Sequence, residues 1–179
     1  MIRSIPNINT SRLALRPMRF DDFDRYAEIW TQDEVVRHIT GVPLSRAEAW
    51  ERFLRNAGHW QMTGFGQWAI MDQRTREMLG AVGFGYLSEP IAEEFDRFPE
   101  TSWLMVPEAQ GSGLAVEAVQ AAHEWFDRVI PGTLLLRIGE GQAQSLKMAE
   151  RLGYKEATHP ANEEKPYRLL RRDGPPGRH

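Results

Sequence analysis

The 179-residue chain predicts a single α/β (α+β) domain, with a mixed, mostly antiparallel sheet of six to seven strands, one parallel pair, and about four flanking helices. Three observations lead there. Residues 100–138 read strand, loop, long helix, strand, and two strands joined by such a helix run parallel with a right-handed connection. Elsewhere, short β-rich runs are separated by tight polar turns, which makes antiparallel hairpins. Apolar residues are 41% of the chain and aromatics 10%, including six tryptophans, so one packed core can be filled.

The elements follow in order. In "SRLALRP" (11–17), Leu13 and Leu15 alternate with Arg12, Ala14 and Arg16, the period of a half-buried strand. Phe23, Tyr26, Ala27 and Trp30 fall on one face of a helix over 21–31, with Asp21 as its N-cap. Ser45 and Glu48 form a capping box that starts a second helix over 45–61, whose stripe runs Ala47, Trp50, Leu54, Ala57, Gln61, with Phe53 and Trp60 beside it. Residues 65–72 and 78–88 are strands joined by the polar turn "DQRTRE", and Gly80, Gly83 and Gly85 imply close backbone approach in the second. "ETSWLMV" (100–106) is a strand stopped by Pro107. The helix over 112–130 carries the stripe Ala115, Ala118, Val119, Ala122, Trp125, Phe126, Val129 and ends at Pro131-Gly132. "TLLLRI" (133–138) is apolar enough for a central strand. A short helix over 143–152 ends at Gly153 in the C′ position, and strands follow near 153–158 and 165–171. The domain covers 1–171, and the Pro/Gly-rich residues 172–179 read as a flexible tail.

Composition narrows function by exclusion. With no cysteine, disulfides, thiolate zinc sites and thiol nucleophiles are out, and the five histidines have no metal-ligand spacing and read as surface residues. A formal charge of −3 carries no nucleic-acid footprint; a mildly acidic surface tolerates a cationic partner, and "EEFD" (93–96) reads as a solvated loop or an acidic rim for a cationic acceptor. "MIRSIPNINT" has no apolar h-region, and no run approaches the ~20 apolar residues of a membrane span, so the expectation is a cytoplasmic protein.

The informative stretch is "EAQGSGLAVE" (108–117). Two spaced glycines at the mouth of a helix deliver backbone N–H groups that lack intrahelical partners and carry the positive end of the helix dipole. Such a start is either an ordinary connecting loop or an anion cradle in which a Cβ would hold a phosphate away. It is not a P-loop, because Leu114 follows Gly113 where Lys-Ser/Thr is needed. Nor is it a dinucleotide loop, because Val116 replaces the third glycine and Pro107 to Gln110 separate strand from glycine.

Gln110-Gly-Ser-Gly-Leu-Ala115 does match Q/R-x-x-G-x-G/A, and there the chain resembles the GCN5-related N-acetyltransferase (GNAT) superfamily. "TSRLALRP" (10–17), "DEVVRHITGVPLSRAEA" (33–49), "ETSWLMVPEAQGSGLAVEA" (100–118) and "QAQSLKMAERLGY" (142–154) resemble, in order, segments of its ribosomal-protein N-terminal acetyltransferase (Rim-type) branch. The resemblance implies direct transfer of acetyl from acetyl-CoA to a primary amine: a protein N-terminus, an amino acid, or a small-molecule amine. It implies strands 100–106 and 133–138 splayed apart, with Met105 and Val106 bonding the pantetheine arm. Gln110, Gly111, Ser112, Gly113, Leu114 and Ala115 would hold the pyrophosphate, and Gln142, where the branch has Asn, would bond pantetheine. Ser145 matches the serine that faces the thioester sulfur. Glu100 opens the strand where relatives carry an acidic residue near the amine, and Glu163 and Glu164 are alternative bases. Many relatives use a tyrosine as general acid where this chain has Ala149. That departure supports a second reading, a non-catalytic acyl-CoA-binding module; a nucleotide-binding loop is a third. Relatives also commonly form homodimers.

Overall fold

The computed structural model describes residues 4–86, 90–157 and 167–177. Among these the elements run β1 (Ile8–Asn9), β2 (Leu13–Arg16), α1 (Phe23–Ile29), α2 (Asp33–Val36), α3 (Arg46–Thr63), β3 (Gln67–Asp72), β4 (Met78–Gly85), α4 (Glu93–Asp96), β5 (Glu100–Met105), α5 (Leu114–Val129), β6 (Leu134–Gly139), α6 (Ala143–Arg151), β7 (Lys155–Glu156) and β8 (Tyr167–Arg172). The strands form one mixed sheet in the order β1-β2-β3-β4-β5-β6-β8-β7, mostly antiparallel, with β5 and β6 as the parallel pair. The two-residue β1 and the four-residue α2 and α4 exceed the expected count because elements so short carry no periodicity to read.

The chain divides into two compact units, Met1–Gly83 with Trp103–Ala122 and Phe84–Ser102 with His123–His179. In the first, Leu13 and Leu15 point inward from β2 and are fully buried. β3 and β4 form the expected hairpin. The Asp72 carboxylate accepts from the N–H groups of Arg74 (2.7 Å) and Thr75 (3.0 Å), which closes the turn and leaves Arg76 at φ +63°.

Asp21 is not the N-cap of α1. A 3-10 turn, Phe20–Asp22, comes first, and Asp22 holds it by accepting from the Arg19 N–H at 2.6 Å and from both terminal nitrogens of Arg16 at 2.7 Å. The Ser45–Glu48 box is present in full: Glu48 N–H donates to Ser45 Oγ at 3.2 Å, and Ser45 N–H donates to Glu48 Oε2 at 2.7 Å. α3 buries a different face from the one expected. Ala49, Phe53 and Trp60 are buried and Leu54 is 49% exposed, so the inward stripe is 49-53-56-60. Phe53 packs on Tyr26 and Trp60 on Trp68, with ring centroids 5.3 and 4.9 Å apart. Burying a phenylalanine such as Phe53 contributes about 2–3 kcal/mol, which outweighs propensity in choosing the face.

Two of the three glycines of β4, Gly80 and Gly83, are there for neighbouring backbone. A Cβ on Gly80 would lie 2.1 Å from the Leu104 carbonyl oxygen, and one on Gly83 2.1 Å from that of Gly66.

In the second unit, Phe95, Leu135, Ala157 and Leu169 form a buried cluster. Trp125 and Phe126 point inward from α5, whereas Val129 is exposed. His123 is 1% exposed, contrary to its reading as a surface residue: its Nε2 lies 2.8 Å from the Tyr154 hydroxyl and the Phe84 ring stands edge-on to it. The stretch read as a flexible tail begins inside β8. Arg172 is 1% exposed, forms a two-pronged ion pair with Asp127 (2.7 and 2.6 Å) and donates to the Leu152 carbonyl at 2.6 Å. Among the described residues no helix is long and apolar enough to cross a membrane.

Candidate active site

The loop after β5 is built by local bonds. Val106 N–H donates to Leu79 O on β4 at 2.8 Å. Alternation along a strand then turns the neighbouring Met105 N–H away from β4. Met105 O accepts from the Gln110 side-chain amide at 3.2 Å, and Val106 O from Ala109 N–H at 3.1 Å. Met105 thus keeps an outward-facing N–H, while Val106 has both backbone groups engaged and Gln110 serves to close the loop. A 3-10 turn, Pro107–Ala109, follows, and Ser112 Oγ donates to Ala109 O at 2.9 Å.

Gly111 and Gly113 then adopt φ +77° and +79°, which L side chains rarely take. Cβ atoms there would meet open space at Gly111 and, at Gly113, Arg12 Nη2 at 3.5 Å. Conformation, not crowding, is therefore what requires glycine. The first helical bond of α5 runs from Glu117 N–H to Gly113 O. Among the described residues no acceptor lies within hydrogen-bonding distance of the amides of 111–116. Six N–H groups in sequence, at the positive end of a 16-residue helix, form an open cradle for an oxyanion.

Arg12 stands at the lip of this cradle, a role that the strand reading of "SRLALRP" did not reveal. Its Nη1 donates to Ser112 O at 2.9 Å and its Nε to Glu117 Oε2 at 2.7 Å, and Glu117 Oε1 accepts from Thr10 Oγ1 at 2.7 Å. Burial pushes Glu117 up, but the bonds from Thr10 and Arg12 outweigh it and hold the carboxyl below its ordinary range. The spare donors on Arg12 leave positive charge beside the open amides.

The second unit holds the other expected residues. Glu100 and Leu135 are the single register position shared by β5 and β6 among the described residues, against six between β6 and β8. Glu100 is 9% exposed, and Arg137 Nε lies 3.0 and 3.1 Å from its two oxygens. Burial raises its proton affinity above that of an ordinary carboxylate, and Arg137 offsets part of the rise. Gln142 is the N-cap of α6 without a side-chain capping bond. Ser145, in the first turn, is half-buried, and its hydroxyl has no hydrogen-bond partner among the described residues. Ala149 is fully buried. Tyr154, whose phenol burial pushes up, also bonds Thr101. His59 Nδ1 lies 2.8 Å from Phe65 O, and His38 is exposed. His159, His179, Glu163 and Glu164 lie outside the described residues.

Comparison with known proteins gives this geometry a family. The chain is similar to a protein described as a GnaT-family acetyltransferase from Bordetella pertussis, at 29% identity over 94% of this chain and 99% of that one, with a TM-score of 0.84. It is similar to an acetyltransferase from Agrobacterium tumefaciens str. C58, at 25% identity over 96% of both chains, with a TM-score of 0.77. It shares its fold with spermidine N-acetyltransferase from Vibrio cholerae, solved with CoA and spermine, at 17% identity over 90% of this chain and 94% of that one, with a TM-score of 0.70. The family model "Acetyltransferase (GNAT) domain" matches residues 12–155, from β2 to β7, and the chain therefore belongs to the GNAT acetyltransferase family.

Proposed function

We propose that this acetyltransferase moves an acetyl group from acetyl-CoA directly onto a primary amine. The observation that carries the reading is the run of open amides at 111–116 behind two left-handed glycines, which suits a diphosphate and has no use in packing. The amides of Gly111, Ser112, Gly113, Leu114 and Ala115 bind the two phosphates, and Arg12 adds charge at the rim. The outward N–H of Met105 meets the pantetheine arm as an added strand would, and the free amide of Gln142 serves the same arm.

The acceptor must attack as a neutral amine. At pH 7 deprotonation costs a lysine-like amine about 4–5 kcal/mol and an α-amino group about 1–1.5 kcal/mol. Glu100, with its raised proton affinity, takes that proton directly or through water. The amine nitrogen bonds to the acetyl carbon, the carbon–sulfur bond breaks, Ser145 Oγ–H supplies the proton to the departing sulfur, and the proton shed by the new amide nitrogen returns to that oxygen through water.

The buried Ala149, where relatives use tyrosine, favours one rival, an acyl-CoA-binding module without turnover. A thiol-release assay over a panel of amines, run beside calorimetry with acetyl-CoA and ATP, separates the readings. Thiol release with at least one amine and binding of acetyl-CoA in preference to ATP are expected. Acetyl-CoA binding with no release on any amine selects the binding module, and preference for ATP removes both.

A further inference from the structure

Arg52 and Arg55 of α3 lie close enough for like-charge repulsion, and neither has a carboxylate partner among the described residues. Arg52 is half-buried, with its guanidinium carbon 4.5 Å from the centre of the Trp30 ring. Burial is the main influence lowering its proton affinity, with Arg55 adding to it. Around it are further polar groups. The Trp30 indole N–H is buried, in a residue 3% exposed, with no acceptor within hydrogen-bonding distance among the described residues. The Tyr26 hydroxyl, buried and pushed up to about 12, interacts weakly with that indole and lies 3.5 Å from the Asn56 amide nitrogen, which also reaches Gln67 Oε1 at 3.1 Å. A desolvated guanidinium normally has a carboxylate beside it, because its own hydration has been lost. Here, among the described residues, the neighbours of the guanidinium are the Trp30 ring, the Tyr26 hydroxyl and a second arginine, and none is a carboxylate.

We infer that Arg52, backed by Trp30, Tyr26, Asn56 and Arg55, binds a carboxylate carried by the acceptor. The inference rests on the transferase reading and narrows its substrate to amino acids and short peptides with a free carboxylate, at the expense of polyamines and of the cationic partners that the acidic "EEFD" suggested. The position suits that role. Gln67, bonded to Asn56, pairs with Gly83 of β4, and Gly80, three residues along, lies against Leu104 of β5. The offset from Gln67 to Leu104 is about 10 Å along the strand and about 10 Å across two strand spacings, the scale of a small amino acid with an arginine at one end. The planar fork of an arginine, its central carbon already held over an indole ring, gives the two parallel bonds that a carboxylate accepts.

Two measurements test this. In the first, thiol release is compared for amino acids and dipeptides with free and with amidated C-termini. The free forms should have KM values at least tenfold lower, and Arg52→Gln should erase the difference while leaving the KM of acetyl-CoA unchanged. Equal KM values for free and amidated acceptors, or a preference for spermidine, overturn the inference alone; release with no amine overturns the transferase reading. The second needs no turnover. With CoA present, N-acetylglycine should change tryptophan emission saturably, N-acetylglycinamide should not, and Trp30→Phe or Arg52→Gln should remove the response. A response shared by both compounds, or absent with both, overturns the subsite.

Discussion

The helices α3 and α5 are of similar length, and they begin in opposite ways. At α3, Ser45 and Glu48 each satisfy the other's backbone N–H, so the positive end of the dipole is closed by the protein itself. At α5 two glycines hold left-handed conformations, and among the described residues no side chain or carbonyl takes up the amides of 111–116. α6 is intermediate: Gln142 makes no capping bond, and the Ser145 hydroxyl is idle. A closed start spends its donors on the fold, and an open one leaves them available. The difference between them is a chemical assignment that burial and strand order do not supply.

Four variants sharpen or break that contrast. Gly113→Glu should have the largest effect, lowering acetyl-CoA affinity at least a hundredfold in calorimetry with the circular dichroism spectrum unchanged. Gly113→Ala is its control, since it carries the same backbone strain of about 1–2 kcal/mol without the charge; equal losses in the two would mean that conformation alone is being read. Next, Ser145→Ala should lower kcat about a hundredfold, with the KM of acetyl-CoA and the melting temperature unchanged. A lower melting temperature at constant kcat would make it a packing serine. Arg12→Ala should weaken acetyl-CoA binding about three- to tenfold and flatten its salt dependence, as loss of one partly exposed charge predicts.

The smallest effect is expected at the closed start. Ser45→Ala should cost about 1 kcal/mol, or about 2–4 °C in melting temperature, with acetyl-CoA affinity untouched. The bonds from Ser45 hold Glu48 below its ordinary carboxylate range. Its contribution is therefore present above the unfolded-state value and lost as the pH falls through the depressed one. Acid titration of Glu48→Gln against the parent chain should show the two stabilities converging only at the low end.

Local signals in the sequence are enough for the capping box, the Asp72 turn, the α5 stripe from Ala118 to Phe126 and the glycine start, because each depends on residues within a turn or two of one another. What stayed hidden depends on distant partners. The inward face of α3 is decided by Tyr26 and Trp68, so the pattern of apolar letters alone pointed one residue or two off. His123 looks like a surface histidine until Tyr154, 31 residues on, takes its ring nitrogen. Gln110 fits a phosphate motif, yet its amide is turned back onto Met105. Glu100 reads as an open strand end, and Arg137 arrives from the neighbouring strand to cover it. Arg12 was legible as the polar half of a strand and illegible as a neighbour of Ser112, a hundred positions away.

The pairing of Arg172 with Asp127 also sets an order of events during synthesis. Asp127 emerges 45 residues before its partner, an interval of about 2–9 s at ordinary translation speeds. Throughout it, the end of α5 carries a carboxylate shaped for an arginine that does not yet exist, and the Leu152 carbonyl, once made, waits too. The second unit can collapse early but cannot lock early. Nascent-chain proteolysis should find this half vulnerable until β8 has cleared the exit tunnel, and a ribosome paused before that codon would hold out an incomplete core to chaperones.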